Sequence, residues 1–160
     1  MAEKQVEIAG LKELKQQLER LPARIEANIT RTALRRGALV IEERAKELCP
    51  VDSGELQDSI KVRAQTKKKS GWINLRVTAG GGKAFYANMV EYGTAPHEIR
   101  PKSAKSLFVA GVFRQVVSHP GATARPFMRP AFDEKYQDAI KAFADYMRQR
   151  IPREIKKQGL

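Results

Sequence analysis

The sequence predicts an α+β domain in which two N-terminal helices and one C-terminal helix pack on a small, mainly antiparallel sheet. Apolar residues recur at spacings of three and four near both ends of the chain, which is the period of an amphipathic helix. The middle of the chain holds short alternating or β-branched stretches separated by turn residues, which is typical of strands. With 160 residues and 42% hydrophobic content, residues 1–160 are expected to form a single domain.

The N-terminal helices follow from leucine spacing and proline position. A short edge strand is expected at residues 6–8. A first helix is expected from Gly10, with leucines on one stripe: Leu11, Leu14, Leu18 and Leu21. Pro22 can open a second, longer helix. That helix should end near Leu48, because Pro50 lacks an amide donor and disfavours helix at the residue before it.

The middle of the chain is predicted to alternate strands and loops. Residues 59–66 and 72–78 are expected to form a hairpin with a basic tip of Lys67, Lys68 and Lys69. The Gly-Gly-Gly-Lys stretch ending at Lys83 is interpreted as a flexible connector, because no Ser or Thr follows the lysine as a P-loop requires. Residues 95–106 are expected to form an exposed loop, and residues 107–117 a strand.

A last helix is expected after Pro130, with its apolar stripe formed by Phe132, Tyr136, Ile140, Phe143, Met147 and Ile151. Pro152 is expected to end this helix. Residues 153–160 would then be a frayed basic tail.

Three segments stand out from this framework. In the first, Asp52 can cap a short helical turn and Glu55 completes the capping-box spacing, with Ser53 and Gly54 between them. The second runs from Phe85 to Thr94 and is rich in aromatic residues, with glycine where its element ends.

The third segment reads Arg-Pro-Phe-Met-Arg-Pro over residues 125–130. Its prolines restrict the backbone to an extended stalk. An aromatic residue and Met between two arginines are typical of interface cores. The alternative is that Phe127 packs into the core of its own chain.

No catalytic or cofactor site is indicated. The chain has two histidines and one cysteine, without the spacing of metal ligands or of a catalytic triad. No cofactor, no metal and no enzymatic activity are therefore expected. The start of the chain lacks the pattern of a signal peptide, and its longest apolar run is too short to cross a membrane, so no membrane association is expected.

The net charge of +12 is concentrated in the middle of the chain. Residues 59–132 hold thirteen basic and two acidic residues, whereas the two flanks together hold seventeen basic and sixteen acidic residues. Such a block favours contact with a polyanion or an acidic protein surface. The candidate contacts are Lys67, Lys68, Lys69 and Lys83.

The three segments, in this order, resemble the small tail-component proteins of long-tailed bacteriophages and prophages, called head–tail joining, neck or tail-completion proteins. The matching stretches are Pro50-Val-Asp-Ser-Gly-Glu-Leu, Tyr86-Ala-Asn-Met-Val-Glu-Tyr-Gly-Thr and Arg125-Pro-Phe-Met-Arg-Pro-Ala. Ser53 stands where a threonine is common in the family, and Cys49 where a small residue is expected. The resemblance implies a structural virion protein whose subunits form a ring where capsid and tail meet.

On this interpretation the protein forms a ring of about six or twelve subunits. It would contact connector or tail-tube proteins, and packaged DNA could occupy the lumen. It would reside in the virion and assemble in the host cytoplasm. The residues assigned to subunit or partner contacts are Arg125, Pro126, Phe127, Met128, Arg129, Pro130, Tyr86, Glu91, Tyr92, Gly93 and Thr94. The alternatives are a non-specific nucleic-acid-binding protein, supported by the charge, and a small hydrolase.

Overall fold

Five helices and six strands make up the described part of the chain. A computed structural model describes residues 10–66, 73–102 and 105–159. The elements in chain order are α1 Leu11–Glu19, α2 Ala23–Leu48, α3 Glu55–Ser59, β1 Lys61–Thr66, β2 Ile73–Thr78, α4 Ala87–Tyr92, β3 His97–Ile99, β4 Leu107–Val109, β5 Val112–Arg114, β6 Val117–His119 and α5 Met128–Gln158. The mixed α+β class is therefore confirmed.

The long helices α2 and α5 run antiparallel and in close contact. Near the start of α5, Arg44 Nε donates to Glu134 Oε2 at 2.7 Å. Halfway along, Gly37 faces the backbone of Ala139, and a Cβ atom added to this glycine would lie 2.7 Å from the carbonyl oxygen. The absence of a side chain at position 37 is therefore what lets the two helices approach at this crossing.

The buried residues form two clusters at opposite ends of this helix pair. The first joins α1 to α2 and α5 and contains Leu14, Leu21, Ile29, Ala33, Met147 and Ile151. The second surrounds the start of α5 and contains Ala45, Cys49, Leu56, Ile60, Ala84, Ala87, Phe127 and Ala131. Each of the three segments singled out in the sequence contributes to this second cluster.

The strands pair two by two, and every pair is antiparallel. The β1–β2 hairpin packs on α2, where the Val62 amide donates to Glu42 Oε2 at 2.7 Å. With only two strands, this sheet leaves part of the α2–α5 surface uncovered. An open, mostly apolar groove of about 780 Å³ results, lined by β2, α2 and the first half of α5.

The described residues between 95 and 121, namely 95–102 and 105–121, form an extension that we call the arm. A β-bridge between Thr94 and Ala122 closes its base. Beyond the bridge, β3 pairs with β6 and then β4 pairs with β5. None of the described arm residues belongs to either buried cluster.

The structure corrects several boundaries predicted from the sequence. Helix α5 continues through Pro152 to Gln158, so residues 153–158 of the expected basic tail are helical. The single strand expected over residues 107–117 is a hairpin, β4–β5, followed by β6. The connector ending in Lys83 contains a 3₁₀ turn over Gly82–Ala84. The edge strand expected at residues 6–8 lies outside the described residues.

We expect Gly37→Ala to destabilise the protein. In an exposed helix this change gains about 0.5–1 kcal/mol of helix propensity. Here the new methyl group would meet a backbone carbonyl at 2.7 Å, and overpacking costs about 1–3 kcal/mol. The net result should be a melting temperature about 2–8 °C lower by calorimetry.

The exposed neighbour Arg36 provides the control for this change. The variant Arg36→Ala should melt within about 2 °C of the wild-type protein. An increase in melting temperature for Gly37→Ala would show that α2 and α5 move apart at this crossing, at little cost, to accommodate the methyl group.

Candidate functional site

The carboxylate of Glu91, at the end of α4, caps the N-terminus of α5. Its Oε2 accepts hydrogen bonds from the amides of Phe127 at 2.8 Å and Met128 at 3.0 Å, and its Oε1 accepts one from Arg129 at 3.0 Å. The first amides of a helix have no partner within the helix itself. Pro130 has no amide hydrogen, and the Ala131 amide bonds back to the Phe127 carbonyl. Every amide donor at this helix start is therefore satisfied.

Backbone contacts hold the neighbouring segments in the same register. The Arg125 amide donates to the Val90 carbonyl at 2.7 Å, and Thr94 and Ala122 exchange two hydrogen bonds. Glycines make this approach possible. A Cβ atom on Gly93 would lie 2.6 Å from the Ala122 carbonyl oxygen, and one on Gly121 would lie 2.2 Å from the Thr94 carbonyl oxygen. Both glycines also have positive φ, at 71° and 85°.

The charge of Glu91 is stabilised by the groups that surround it. Burial by itself raises the pKa of this carboxyl, since only 7% of the residue is exposed. The three backbone hydrogen bonds and the nearby charge of Arg129 act in the opposite direction and outweigh burial, so the pKa lies below its ordinary value. The positive end of the α5 dipole favours the carboxylate as well.

Helix α4 and the turn before it present small residues inward and large residues outward. Ala84, Ala87 and Glu91, at spacings of three and four, are buried against the start of α5. The opposite face carries large apolar side chains that are exposed by 72%, 49% and 77%, namely Phe85, Met89 and Tyr92. We call this face the α4 ridge. It reverses the usual arrangement, in which the larger apolar residues of a helix face the core.

Two of the residues assigned to a subunit interface are not on the surface. Phe127 is fully buried in the second cluster, in agreement with the alternative that it packs into the core of its own chain. Glu91 is also buried, and its carboxylate accepts the capping hydrogen bonds. Neither side chain can contact a neighbouring subunit in this conformation. Tyr92, Arg125, Pro126 and Arg129 are exposed, whereas Tyr86, Met128, Pro130, Gly93 and Thr94 are half-buried.

The turn at residues 52–55 differs from the predicted capping box. Gly54, not Asp52, occupies the N-cap position of α3, and no side chain caps this helix. The hydroxyl of Ser53 lies 3.5 Å from the Glu55 amide. Glu55 instead pairs with Lys83 at 3.2 Å, which brings the first segment beside the second. Leu56, one residue further on, anchors the turn in the second cluster.

Two arginines of the basic middle of the chain lie on the outer face of the β1–β2 hairpin. Arg63 and Arg76 are exposed and directly opposite each other across the two strands. Neighbouring like charges in such a pair repel each other. The predicted tip residues Lys67, Lys68 and Lys69 lie outside the described residues, so their contact with DNA or an acidic partner stays a prediction.

The two histidines, far apart in the sequence, meet at the base of the arm. Their rings, from His97 on β3 and His119 on β6, stack with centroids 5.0 Å apart. The Gly121 amide donates to His119 Nδ1 at 3.0 Å. Within the described ranges, no group of three or more His, Cys, Asp or Glu side chains could hold a metal ion. Cys49 is buried, and burial raises the pKa of its thiol.

Sequence reasoning did not assign Phe85, Met89, Phe108 or Phe113 to a site. The spacing of four and then three residues between Phe85, Met89 and Tyr92 indicates a shared surface, because it puts all three side chains on one helical face. For Phe108 and Phe113, the signal was the glycine between them, which breaks an apolar run into a hairpin.

Replacing the capping carboxylate should lower stability at neutral pH. In Glu91→Gln, one oxygen remains to accept hydrogen bonds and the new amide group faces a backbone donor, so we expect a loss of about 1–3 kcal/mol. The folded pKa of Glu91 lies below its ordinary value of 4.5. The stabilisation by the charge is therefore complete above that value and is lost as the pH falls through the folded pKa.

Chemical denaturation of both proteins at several pH values measures this difference. The gap between wild type and Glu91→Gln should be widest near pH 7 and should narrow below about pH 4. Glu98→Gln is the control, because Glu98 is exposed and its pairing with Arg100 at 2.8 Å contributes little. Equal stabilities of Glu91→Gln and wild type at pH 7 would contradict the capping role.

Comparison with known proteins places the chain in a family. Residues 12–93, just over half of the chain, match the family model described as "Bacteriophage HK97-gp10, putative tail-component". No curated protein and no solved structure matches the chain. Within the described residues, no helix is both long and apolar enough to cross a membrane. The matched range includes α2, the turn into α3 and the whole of α4, and the chain belongs to the HK97-gp10-like family of bacteriophage tail components.

Proposed function

We propose that the protein is a non-catalytic structural subunit that forms a ring at the head–tail junction of a phage particle, as a neck or tail-completion component. Its partners would be copies of itself and the adjoining connector or tail-tube proteins. It would reside in the virion after assembly in the host cytoplasm. Membership of a tail-component family supports the general role, and the position at the junction is our proposal.

The α4 ridge carries this proposal. Phe85, Met89 and Tyr92 are exposed side by side, although the same helix buries alanines and a carboxylate. Large apolar residues grouped on a surface are typical of protein contact sites, in which aromatic residues and Met are enriched. Two exposed arginines lie beside α4, because the Arg125 amide bonds to the Val90 carbonyl and the Arg129 amide bonds to the Glu91 carboxylate. Arginine is also enriched at the contact residues that contribute most to binding.

The capping bonds give this surface a fixed base. The ridge residues project from α4, and Glu91 ties α4 to a helix of 31 residues. A docking surface on a rigid element loses little conformational entropy when a partner binds. We infer that the ridge contacts another tail or connector protein, with a ring of about six or twelve subunits formed around the tail axis.

Removing the ridge should abolish incorporation into particles without unfolding the protein. We expect Met89→Ala/Tyr92→Ala to melt within about 4 °C of wild type, because Tyr92 is largely exposed and Met89 half-exposed. A phage lacking its own copy of the gene would be complemented with each variant. Particles joined at the neck would then be counted by electron microscopy.

Leu39→Ala is the matched control, because Leu39 is an apolar residue 37% exposed on α2, away from the ridge. It should support normal numbers of joined particles. The purified wild-type protein, imaged alone and mixed with isolated tails, should appear as a ring on the tail end. A protein that stays monomeric when imaged alone and does not bind the isolated tails would contradict the proposed function.

Contact with DNA is a second candidate function, and the opposed Arg63 and Arg76 favour it. No ion pair to either side chain is found within the described residues. A phosphate between two such guanidinium groups would relieve their repulsion. On this proposal the basic face of the β1–β2 hairpin would line the lumen of the ring.

The salt dependence of DNA binding distinguishes this candidate from a purely protein-binding role. In Arg63→Ala/Arg76→Ala, the slope of log K against log salt should fall in magnitude by about two units. The exposed pair Arg24 and Arg31 on α2 provides the control, and replacing both with Ala should leave the slope unchanged. An unchanged slope in the first variant would indicate that this face does not bind DNA phosphates.

A further inference from the structure

The tip of the arm is an apolar ribbon without cover. Phe108 and Phe113 are 65% and 73% exposed, and their rings pair across β4–β5 with centroids 5.0 Å apart. On the other face of the ribbon, Val109 and Val112 are 41% and 53% exposed. A two-stranded hairpin is marginally stable in water by itself. An uncovered ribbon of this composition is therefore expected to gain stability from a partner.

The groove between α2, β2 and α5 has matching chemistry. Its volume of about 780 Å³ lies within the usual range of binding pockets. The apolar side chains that line it include Leu34, Ile41, Leu75, Ile140 and Phe143. Phe132, at its edge, is 54% exposed. The groove could accommodate two aromatic side chains and remove their surface from water.

Charge complementarity indicates which partner belongs in the groove. Among the described lining residues, the charged one is Asp133, which has no ion-pair partner in the described part of the chain. The arm carries the opposite charge. Arg114 follows Phe113 and lies on the valine face of the ribbon, opposite Leu107, and Lys105 precedes β4; both basic residues are exposed. An apolar ribbon flanked by cations thus matches an apolar groove flanked by an anion.

We propose that the arm of one subunit inserts its β4–β5 ribbon into the α2–β2–α5 groove of a second copy of this chain, with Phe108 and Phe113 packed on the apolar lining and Arg114, on the other face of the ribbon, directed toward Asp133 of that copy. This inference rests on the proposed function, because it supplies the contact between copies in the ring. The arm and the groove are different surfaces, so the contact is heterologous and repeats from one subunit to the next. The α4 ridge then remains available for other proteins.

The first test removes the two aromatic rings. Phe108→Ala/Phe113→Ala should weaken self-association of the full-length protein about 100-fold or more, measured by sedimentation over a concentration series. The melting temperature of the monomer should remain nearly unchanged, because both side chains are exposed. Val51→Ala is the control, since Val51 is 63% exposed in the turn before α3 and lies outside both the arm and the groove.

A charge reversal tests the partner surface. Arg114→Asp and Asp133→Arg should each weaken self-association about five-fold, and combining them in one chain should restore it. Single variants with wild-type association, or a combined variant no better than either, would overturn the assignment of the groove. So would a wild-type protein that remains monomeric up to about 1 mM.

Imaging on isolated tails separates failure of this inference from failure of the proposed function. Rings formed equally well by wild type and by Phe108→Ala/Phe113→Ala would overturn the arm–groove contact and leave the proposed function intact. Rings formed by neither protein would contradict both. Rings formed by wild type and lost in the variant, with the melting temperature unchanged, are the expected result.

Discussion

The architecture of this domain depends on one buried carboxylate. Glu91 would be costly to bury alone, and three backbone amides together with a helix dipole compensate for its desolvation. The same bonds fix α4 against the start of α5, which places Phe127 in the core. Two prolines in the 125–130 segment remove the donors that Glu91 does not reach. The segment is therefore built for capping by a distant residue, and its proline content has a structural reason.

Close approach at this junction explains why the bulk of α4 points outward. Ala84 and Ala87 pack in one buried cluster with Phe127 and Ala131, and the close approach of residues 122–124 to Gly93 and of residues 94–95 to Gly121 leaves no room for a Cβ atom. Large apolar residues placed on that inner face would separate α4 from α5 and break the capping bonds. The packing explains why small residues are inside. It does not require aromatic residues outside, where polar ones would be equally compatible with the fold, so the composition of the α4 ridge is better explained by binding.

Local patterns predicted the helical layer well and the tertiary contacts poorly. The bounds of α1 and α2 followed from leucine spacing and from Pro50. The prediction that α5 ends at Pro152 was wrong, because burial of Ile151 and Glu154 on either side of it outweighs the local cost of a proline in the helix. The capping role of Glu91 could not be read from the sequence, since its partners lie 36 to 38 positions further along the chain. Only the fold shows that the second and third segments form one unit.

The arm and the α4 ridge are attached to the rest of the domain at the same backbone junction, and this has a consequence for assembly. The bridge between Thr94 and Ala122 closes the arm directly after α4, and the bond from Arg125 to Val90 holds the returning segment against the same helix. A force on the arm from a neighbouring copy would therefore reach α4 through hydrogen-bonded backbone. If the arm joins copies and the ridge binds another protein, both contacts act on the helix start that Glu91 caps. Both contacts would then depend on the same capping bonds.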